Sequence, residues 1–366
     1  MKIGIIGTRG IPNYHGGFEQ FAEFFSVYAT QKGHDVYVYN SMNHPYKETL
    51  FNGVNIIHCN DPEKNIGTVG QFIYDFNCIL DSRKRKFDII LQLGYTSSSI
   101  WGFLLPKRSK IITNMDGLEW KRAKYNSYVK RFLKYAEKLA VQSSDYLISD
   151  SLGIQDYIFK KYSINSKFIA YGAELFKVPN KKSLEKYNLV PLNYNIIIAR
   201  LEPENNIEII LEGVVKSKTN MPTLVIGNYN TKFGRYLQKC FKNEKRIIFL
   251  GGIYDLEMLN NLRYFSNIYF HGHSVGGTNP SLLEAMSSNS FIVAHDNIFN
   301  KSILGNDALF FRSSEDIVKL LNLNKKDYKT FLDNNTLKIK NQYLWSKINS
   351  EYCNFLELCF QKSNII

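Results

Sequence analysis

The run SNIYFHGHSVGGTNPSLLEAMSSNSFIVAH, residues 266–295, decides how the rest of the chain reads. Asn267 to His271 carry aromatic and β-branched residues in the manner of a short buried strand. Ser274 to Thr278 form a glycine-bearing loop, and Asn279 before Pro280 marks a helix start, with the asparagine as cap and the proline at the first position. A strand, a flexible loop and a helix N-terminus bring backbone N–H groups and the positive end of a helix dipole to one point. That is a seat for a diphosphate. Glu284, about one and a half turns into the helix, can accept hydrogen bonds from ribose hydroxyls. The alternative is a plain strand-to-helix turn with Glu284 as an ordinary solvated carboxylate.

Working outward, a length of 366 residues suits two domains, and 44% hydrophobic with 22% charged residues is the composition of a folded globular protein. No apolar run reaches the roughly eighteen residues of a membrane span, and the opening MKIGIIGTRG reads as a glycine-bearing strand rather than a signal peptide, so a cytoplasmic location is expected. Cys59, Cys78, Cys240, Cys353 and Cys359 are odd in number and form no CxxC pair; they read as small core residues, not as disulfides or a zinc site. The net charge of +13 predicts attraction to something anionic.

In the first half, Lys2 to Gly7 reads as a buried strand, Gly16 and Gly17 precede a helix with Phe21, Phe24, Phe25 and Tyr28, and Val36 to Asn40 is the next strand. The glycines fall at Gly4, Gly7 and Gly10 rather than as G-x-G-x-x-G, and the second strand ends in Asn40 instead of an acidic residue, which argues against a dinucleotide site. Strand and helix patterns then alternate, as in a doubly wound parallel sheet. Asp116, Glu119 and Trp120 follow the Lys110–Asn114 strand, where ligands of such sheets bind. Within 127–141, Tyr128, Phe132, Tyr135, Ala136 and Leu139 share one helical arc and Lys130, Arg131, Lys134 and Lys138 the opposite one. That basic amphipathic helix is a candidate surface for anionic lipid, or an ordinary helix with a solvated basic face. No nucleic-acid-binding signature is present, so no nucleic-acid partner is expected.

Lys177 to Pro191 reads as a linker. Beyond it Asn195 to Ala199 is a strand that ends at Arg200, whose fork suits a diphosphate. Later come Gly227 after another strand, the segment FLGGIYD with Ile253, and a final amphipathic helix with Leu344, Ile348, Tyr352, Phe355, Leu356 and Cys359 on one stripe.

The segments GTRGIP through GGFE, DGLEW and GGTNPSLLEAM resemble glycosyltransferase family 4, and especially its bacterial rhamnosyltransferase-like branch. The resemblance implies a GT-B fold, α/β, with two Rossmann-like parallel-sheet domains facing across a cleft. Residues 1–176 would bind the acceptor, 177–342 the nucleotide sugar, and 343–366 would form a helix crossing back to the first domain. It implies retaining transfer of a sugar, rhamnose from dTDP-rhamnose being favoured, to a lipid-linked saccharide in bacterial surface polysaccharide synthesis at the inner membrane face.

The same resemblance assigns catalytic roles to Asp116, Arg200 and Glu284. Donor contacts fall to Arg200, Asn205, Gly227, Ile253, His273, Gly276, Gly277, Thr278, Asn279 and Glu284. Acceptor-side positions are Gly16, Gly17, Glu19, Asp116, Glu119 and Trp120, with His15 beside them. No metal or other cofactor is expected. Two departures from the family pattern stand out: Asn205 replaces a phosphate-binding lysine, for which Arg9 or Lys301 are candidate substitutes, and Gly276 replaces a glutamate that holds donor-sugar hydroxyls. The alternatives are another GT-B enzyme using a UDP- or GDP-sugar, as transferase or epimerase, and a non-enzymatic basic membrane- or nucleic-acid-binding protein.

Overall fold

The computed structural model describes residues 1–362 apart from 116, 123 and 124. Two compact units divide the chain, the first holding Met1–Trp120 and Tyr125–Tyr171, the second Gly172–Leu344.

The first unit carries an eight-stranded sheet: β1 (Lys2–Ile6), β2 (Asp35–Ser41), β3 (Leu50–Phe51), β4 (Val54–Cys59), β5 (Ile89–Leu93), β6 (Lys110–Asn114), β7 (Tyr146–Ser149) and β8 (Lys167–Phe168). Their order across the sheet is β3-β4-β2-β1-β5-β6-β7-β8. Every pairing is parallel except β3 with β4, so the parallel sheet expected from the strand–helix alternation has a short antiparallel edge. That edge strand is only two residues long, too short to leave a periodic signal. The connections are α1 (Gly17–Gln31), α2 (Glu63–Ile66), α3 (Val69–Arg85), α4 (Ser127–Ser143) and α5 (Leu152–Tyr162). Tyr74, Cys78 and Ile79 of α3 pack with Ile6, Tyr39 and Ile90, while Ala136, Ala140 and Val141 of α4 pack with Leu147, Ile154 and Ile158.

The second unit has a six-stranded, wholly parallel sheet in the order β11-β10-β9-β12-β13-β14. Its strands are β9 (Asn195–Ile198), β10 (Thr223–Ile226), β11 (Ile247–Gly251), β12 (Tyr269–His271), β13 (Ile292–His295) and β14 (Leu309–Phe311). Helices α6 (Ile207–Lys216), α7 (Lys232–Phe241), α8 (Leu256–Phe265), α9 (Pro280–Ser287), α10 (Ile298–Leu304), α11 (Ser314–Leu320) and α12 (Lys329–Lys338) connect or follow them. A core of Ile197, Ile207, Ile210, Val225, Phe270 and Val293 runs through its centre. Buried strands of this kind read as near-continuous aliphatic runs because both faces are covered. The stretch read as a linker is partly built into this unit: Lys181–Tyr187 forms a 3-10 helix whose Leu184 is 1% exposed.

The last helix, α13 (Trp345–Gln361), belongs to the first unit. Trp345 stacks on Phe24 of α1 at 4.9 Å, Phe21 lies 4.5 Å from Tyr352, and the Asn114 amide donates to the Tyr352 hydroxyl at 2.8 Å. The buried stripe is Trp345, Ile348, Asn349, Tyr352, Cys353, Leu356 and Cys359. Leu344 stands outside the helix and Phe355 is half-buried, so the stripe is rotated relative to the sequence expectation. Four of the five cysteines are buried as expected, whereas Cys240 is exposed.

α4 corrects the sequence reading more sharply. Its buried residues are Leu133, Ala136, Glu137, Ala140 and Val141, while Tyr128 is 84% and Tyr135 56% exposed. Small alanines let the helix sit close to α5 and β7, and the two tyrosines are left on the basic face. Among the described residues no helix is long and apolar enough to cross a membrane.

Trp345 fills the joint between α13 and α1, and emptying that space costs both transfer energy and a cavity. Trp345→Ala is expected to destabilise the protein by about 3–5 kcal/mol, read as a fall in the urea midpoint, whereas Leu358→Ala at an exposed position of α13 changes it by about 0.5 kcal/mol or less.

Candidate functional site

In the second unit, successive strands deliver the candidate residues to the carboxyl edge of the sheet. β12 ends at His271, and the loop to α9 closes as the sequence predicted: the Asn279 side chain accepts from the Ser281 N–H at 3.0 Å and Pro280 occupies the first turn. Gly276 has φ +142, a conformation that side chains rarely adopt, and a Cβ placed there would meet nothing within 4 Å, so the backbone of the loop faces open space. Thr278 is buried and Gly277 half-buried. Ser274 anchors the near end of the loop, its N–H and its hydroxyl both donating to the Glu204 carbonyl at 3.0 and 2.8 Å. Asn297 and Asn300 hold the same end through the His273 carbonyl, each donating at 3.0 Å.

Glu284 sits on α9 with its side chain 18% exposed, and the buried guanidinium of Arg263 donates to its Oε2 at 2.5 Å. Arg263 comes from α8 and was missed in the sequence. The signal was there: it falls on the same arc as Leu259 and Leu262, both buried, and an arginine inside an apolar arc needs a partner. Behind Glu284 the Tyr269 hydroxyl meets Ser281 Oγ at 2.7 Å, and the rings of His271 and His273 stack at 4.3 Å. Burial, reinforced by the Arg200 cation, pushes the His273 imidazole down to about 3, and burial holds His271 well below its usual range. Both rings are therefore neutral at physiological pH.

Arg200 stands exposed just beyond β9. Asn205, at the position of the missing lysine, turns inward: its amide donates to the Arg200 carbonyl at 2.7 Å and shapes the turn. The adjacent Glu204 is buried, and neither of its carboxylate oxygens meets a donor among the described residues. Gly227 allows β10 to end against β9, since a Cβ there would lie 2.1 Å from the Ala199 carbonyl. Ile253 is half-buried in the loop between β11 and α8. The two candidate substitute cations are engaged elsewhere, Arg9 with Glu63 at 2.8 Å and Lys301 with Asp296 at 2.6 Å.

In the first unit, Gly16 caps α1 in an extended conformation, and Gly17 starts the helix with its carbonyl accepting from the Tyr171 hydroxyl at 3.1 Å. Glu19 is buried, and its carboxylate takes the Arg9 N–H at 2.9 Å, so it braces the 8–10 loop rather than facing outward; His15 is exposed. Asp116 lies outside the described residues. Glu119 and Trp120 form a short 3-10 turn after β6. The Trp120 indole donates to Glu137 Oε2 at 3.0 Å, and the Lys134 ammonium lies 4.5 Å from its ring centroid. Glu137 is a buried carboxylate that also receives Tyr157, Tyr162 and Lys161 at 2.9, 2.7 and 2.7 Å. Like Arg263 it is a charge within an apolar helical arc, and it carries the 119–121 turn onto α4 and α5.

Chemically, the second unit offers a glycine loop and helix N-terminus for phosphate, an exposed guanidinium, and a carboxylate held in place from behind. A family model described as a domain of unknown function (DUF1972) matches residues 1–174. Protein CapJ of Staphylococcus aureus is 24% identical over 218 residues, 57% of this chain and 53% of that protein, so the match spans about half the length of that relative. Among solved structures, sucrose-phosphate synthase from Thermosynechococcus elongatus aligns at a TM-score of 0.82 with 12% identity over 99% of both chains. HepE of Anabaena, in complex with UDP and glucose, aligns at 0.77 with 14% identity over 97% of this chain and 99% of that one. The trehalose 6-phosphate synthase of Burkholderia multivorans aligns at 0.69 with 10% identity over 100% and 98%. The fold expected from the sequence, two Rossmann-like parallel-sheet domains of the GT-B type, is the fold these structures share.

One further acid near the first sheet is buried. Asp75 on α3 accepts from Ser97 Oγ at 2.5 Å, and burial pushes its carboxyl up to about 7 against the opposing pull of that bond and of Arg9. Because the folded protein holds this proton more tightly than the unfolded chain, the stabilisation is present at low pH and is lost as pH rises from about 4 to about 7. Asp75→Asn, which keeps an acceptor for Ser97, is expected to be more stable than the wild type at pH 8 by roughly 2–4 kcal/mol, with the difference vanishing near pH 4 in urea melts at both pH values.

Proposed function

We propose that the chain is a retaining glycosyltransferase that moves a sugar from a nucleoside-diphosphate donor to an acceptor hydroxyl. The observation that carries this reading is the placement of Glu284, about one and a half turns past an asparagine-capped helix N-terminus and held from behind by buried Arg263, at the end of a glycine loop on the carboxyl edge of a parallel sheet. The diphosphate rests on the loop around Gly277 and Thr278 and at the N-terminus of α9, with Arg200 as its cation and the pentose at Glu284. Ile253 and Gly227 line the base end, and His273, neutral, is a hydrogen-bonding group for the sugar or phosphate.

In the transfer, the bond from the anomeric carbon to the diphosphate oxygen breaks while the acceptor oxygen bonds the same carbon on the same face. The acceptor proton passes to the departing diphosphate. Arg200 and the dipole of α9 stabilise the charge developing on the leaving oxygen, the role that a metal ion plays in other transferases. Asp116, Glu119 and Trp120 are assigned to the acceptor hydroxyl by the resemblance of DGLEW to the family. The favoured donor is dTDP-rhamnose, by the resemblance of GGTNPSLLEAM to the rhamnosyltransferase-like branch, and the favoured acceptor a lipid-linked saccharide of a bacterial surface polysaccharide. Support for a membrane-associated acceptor comes from α4, where exposed Tyr128 and Tyr135 stand among Arg131, Lys134 and Lys138.

Arg200→Ala and Glu284→Ala are each expected to lower sugar transfer by about 100-fold or more, with activity unchanged in chelator; undiminished transfer in either variant would overturn the reading, and consumption of donor without acceptor would favour an epimerase. Sedimentation with vesicles should show binding to phosphatidylglycerol that weakens with salt and is lost in Lys134→Glu/Lys138→Glu, with none to phosphatidylcholine alone.

A further inference from the structure

Among the described residues the buried acids are Glu19, Asp61, Asp75, Glu137 and Glu204. The first four accept protein hydrogen bonds through their carboxylates: Glu19 from the Arg9 N–H, Asp61 from Ser41 Oγ and the Glu63 N–H, Asp75 from Ser97 Oγ, and Glu137 from Trp120, Tyr157, Lys161 and Tyr162. Glu204 differs. It is 7% exposed, and neither of its carboxylate oxygens meets a protein donor among the described residues. Such a group costs free energy, and nearly all buried polar groups in folded proteins are hydrogen-bonded. Nor does the local turn, Pro203–Asn205, need this side chain, because its main chain is already fixed. The Glu204 carbonyl accepts from the Ser274 N–H and hydroxyl at 3.0 and 2.8 Å and from the Asn206 amide at 3.3 Å, and that amide also donates to the Gly272 carbonyl at 2.7 Å. The turn is thereby tied on one side to the 272–279 loop and on the other to Arg200, whose carbonyl takes the Asn205 amide at 2.7 Å.

We propose that Glu204 recognises the transferred sugar, its carboxylate accepting hydrogen bonds from hydroxyls of that sugar. This rests on Arg200 and the 272–279 loop being the seat of the donor diphosphate. An anionic phosphate repels a carboxylate, whereas a hydroxyl donates to it. Glu204 belongs to no group of three or more His, Cys, Asp or Glu side chains able to hold a metal ion, among the described residues. The part of a nucleotide sugar that carries hydroxyl donors and is bonded directly to the outer phosphate is the transferred sugar. The loop itself leaves that sugar without a side-chain contact at Gly276, where a Cβ would meet nothing within 4 Å. Glu204 is then a specificity-determining residue whose unmet acceptors in the free protein are filled in the donor complex.

The test is calorimetric titration of the full chain with UDP, dTDP, UDP-glucose and dTDP-rhamnose, joined to thermal melts without ligand. Glu204→Gln and Glu204→Met are expected to bind the bare nucleotides within about twofold of the wild type, while affinity for whichever sugar nucleotide the wild type takes falls by about tenfold or more. Without ligand, Glu204→Met, an apolar side chain of similar volume, melts about 2–4 °C above the wild type because it removes acceptors that the free protein leaves unmet. Glu204→Gln carries the binding comparison should the methionine variant not fold. Sugar-nucleotide affinity that is unchanged in the variants, or that falls no more than affinity for the bare nucleotide, overturns the proposal. So does a folded Glu204→Met that melts below the wild type, since the carboxylate would then already have partners in the free protein. A wild type that binds the bare nucleotides and neither sugar nucleotide overturns this proposal alone; one that binds none of the four probes removes the donor reading, and the proposal with it.

Discussion

In the second sheet every strand runs the same way, so every carboxyl end meets at one edge. That constraint gathers residues far apart in the chain: Arg200 after β9, Gly227 after β10, Ile253 after β11, and the 272–279 loop after β12. Because the parallel crossovers here pass through helices, the same edge also receives helix N-termini, and α9 brings the positive end of its dipole to the glycine loop. The loop needs little else to be shaped. Ser274 tied to Glu204, and His273 held by two asparagines, pin its near end, and the Asn279 cap pins its far end.

Two of the buried charged residues are each held by several hydrogen bonds. Arg263 braces Glu284 in the second unit, and Glu137 gathers an indole, two phenols and an ammonium in the first. Each sits on the apolar arc of a helix, where an aliphatic residue of similar size would pack with less desolvation. Both act by positioning: one fixes the Glu284 carboxylate on α9, the other carries the Trp120 turn. The stacked imidazoles of His271 and His273 are held neutral by burial and add no charge to this part of the unit.

Local signals in the chain were easily legible where they repeat at the period of an element. Strands from Lys2, Val36 and Asn195, the capped start of α9, and the final helix all announce themselves through aliphatic runs, glycine stops and caps. The two-residue strand Leu50–Phe51 does not, because nothing periodic fits in two residues. α4 misled for a different reason. Tyrosine scores as apolar in a helical wheel, yet Tyr128 and Tyr135 face solvent while Glu137 lies inside, since the neighbours on α5 supply the donors that make a buried carboxylate tolerable.

What the amino-acid sequence determined by itself was the alternation of strands and helices and the glycine loop followed by an N-cap and a carboxylate, because each of these is a matter of local conformational preference. Only the tertiary structure decided that Asn205 turns in to a carbonyl, that Arg9 and Lys301 pair with Glu63 and Asp296, and that Arg263 pairs with Glu284. Those are pairings between residues distant in the chain, and the partner of a charge is set by which side chains the packed sheet brings within hydrogen-bonding reach, a quantity that no local pattern encodes.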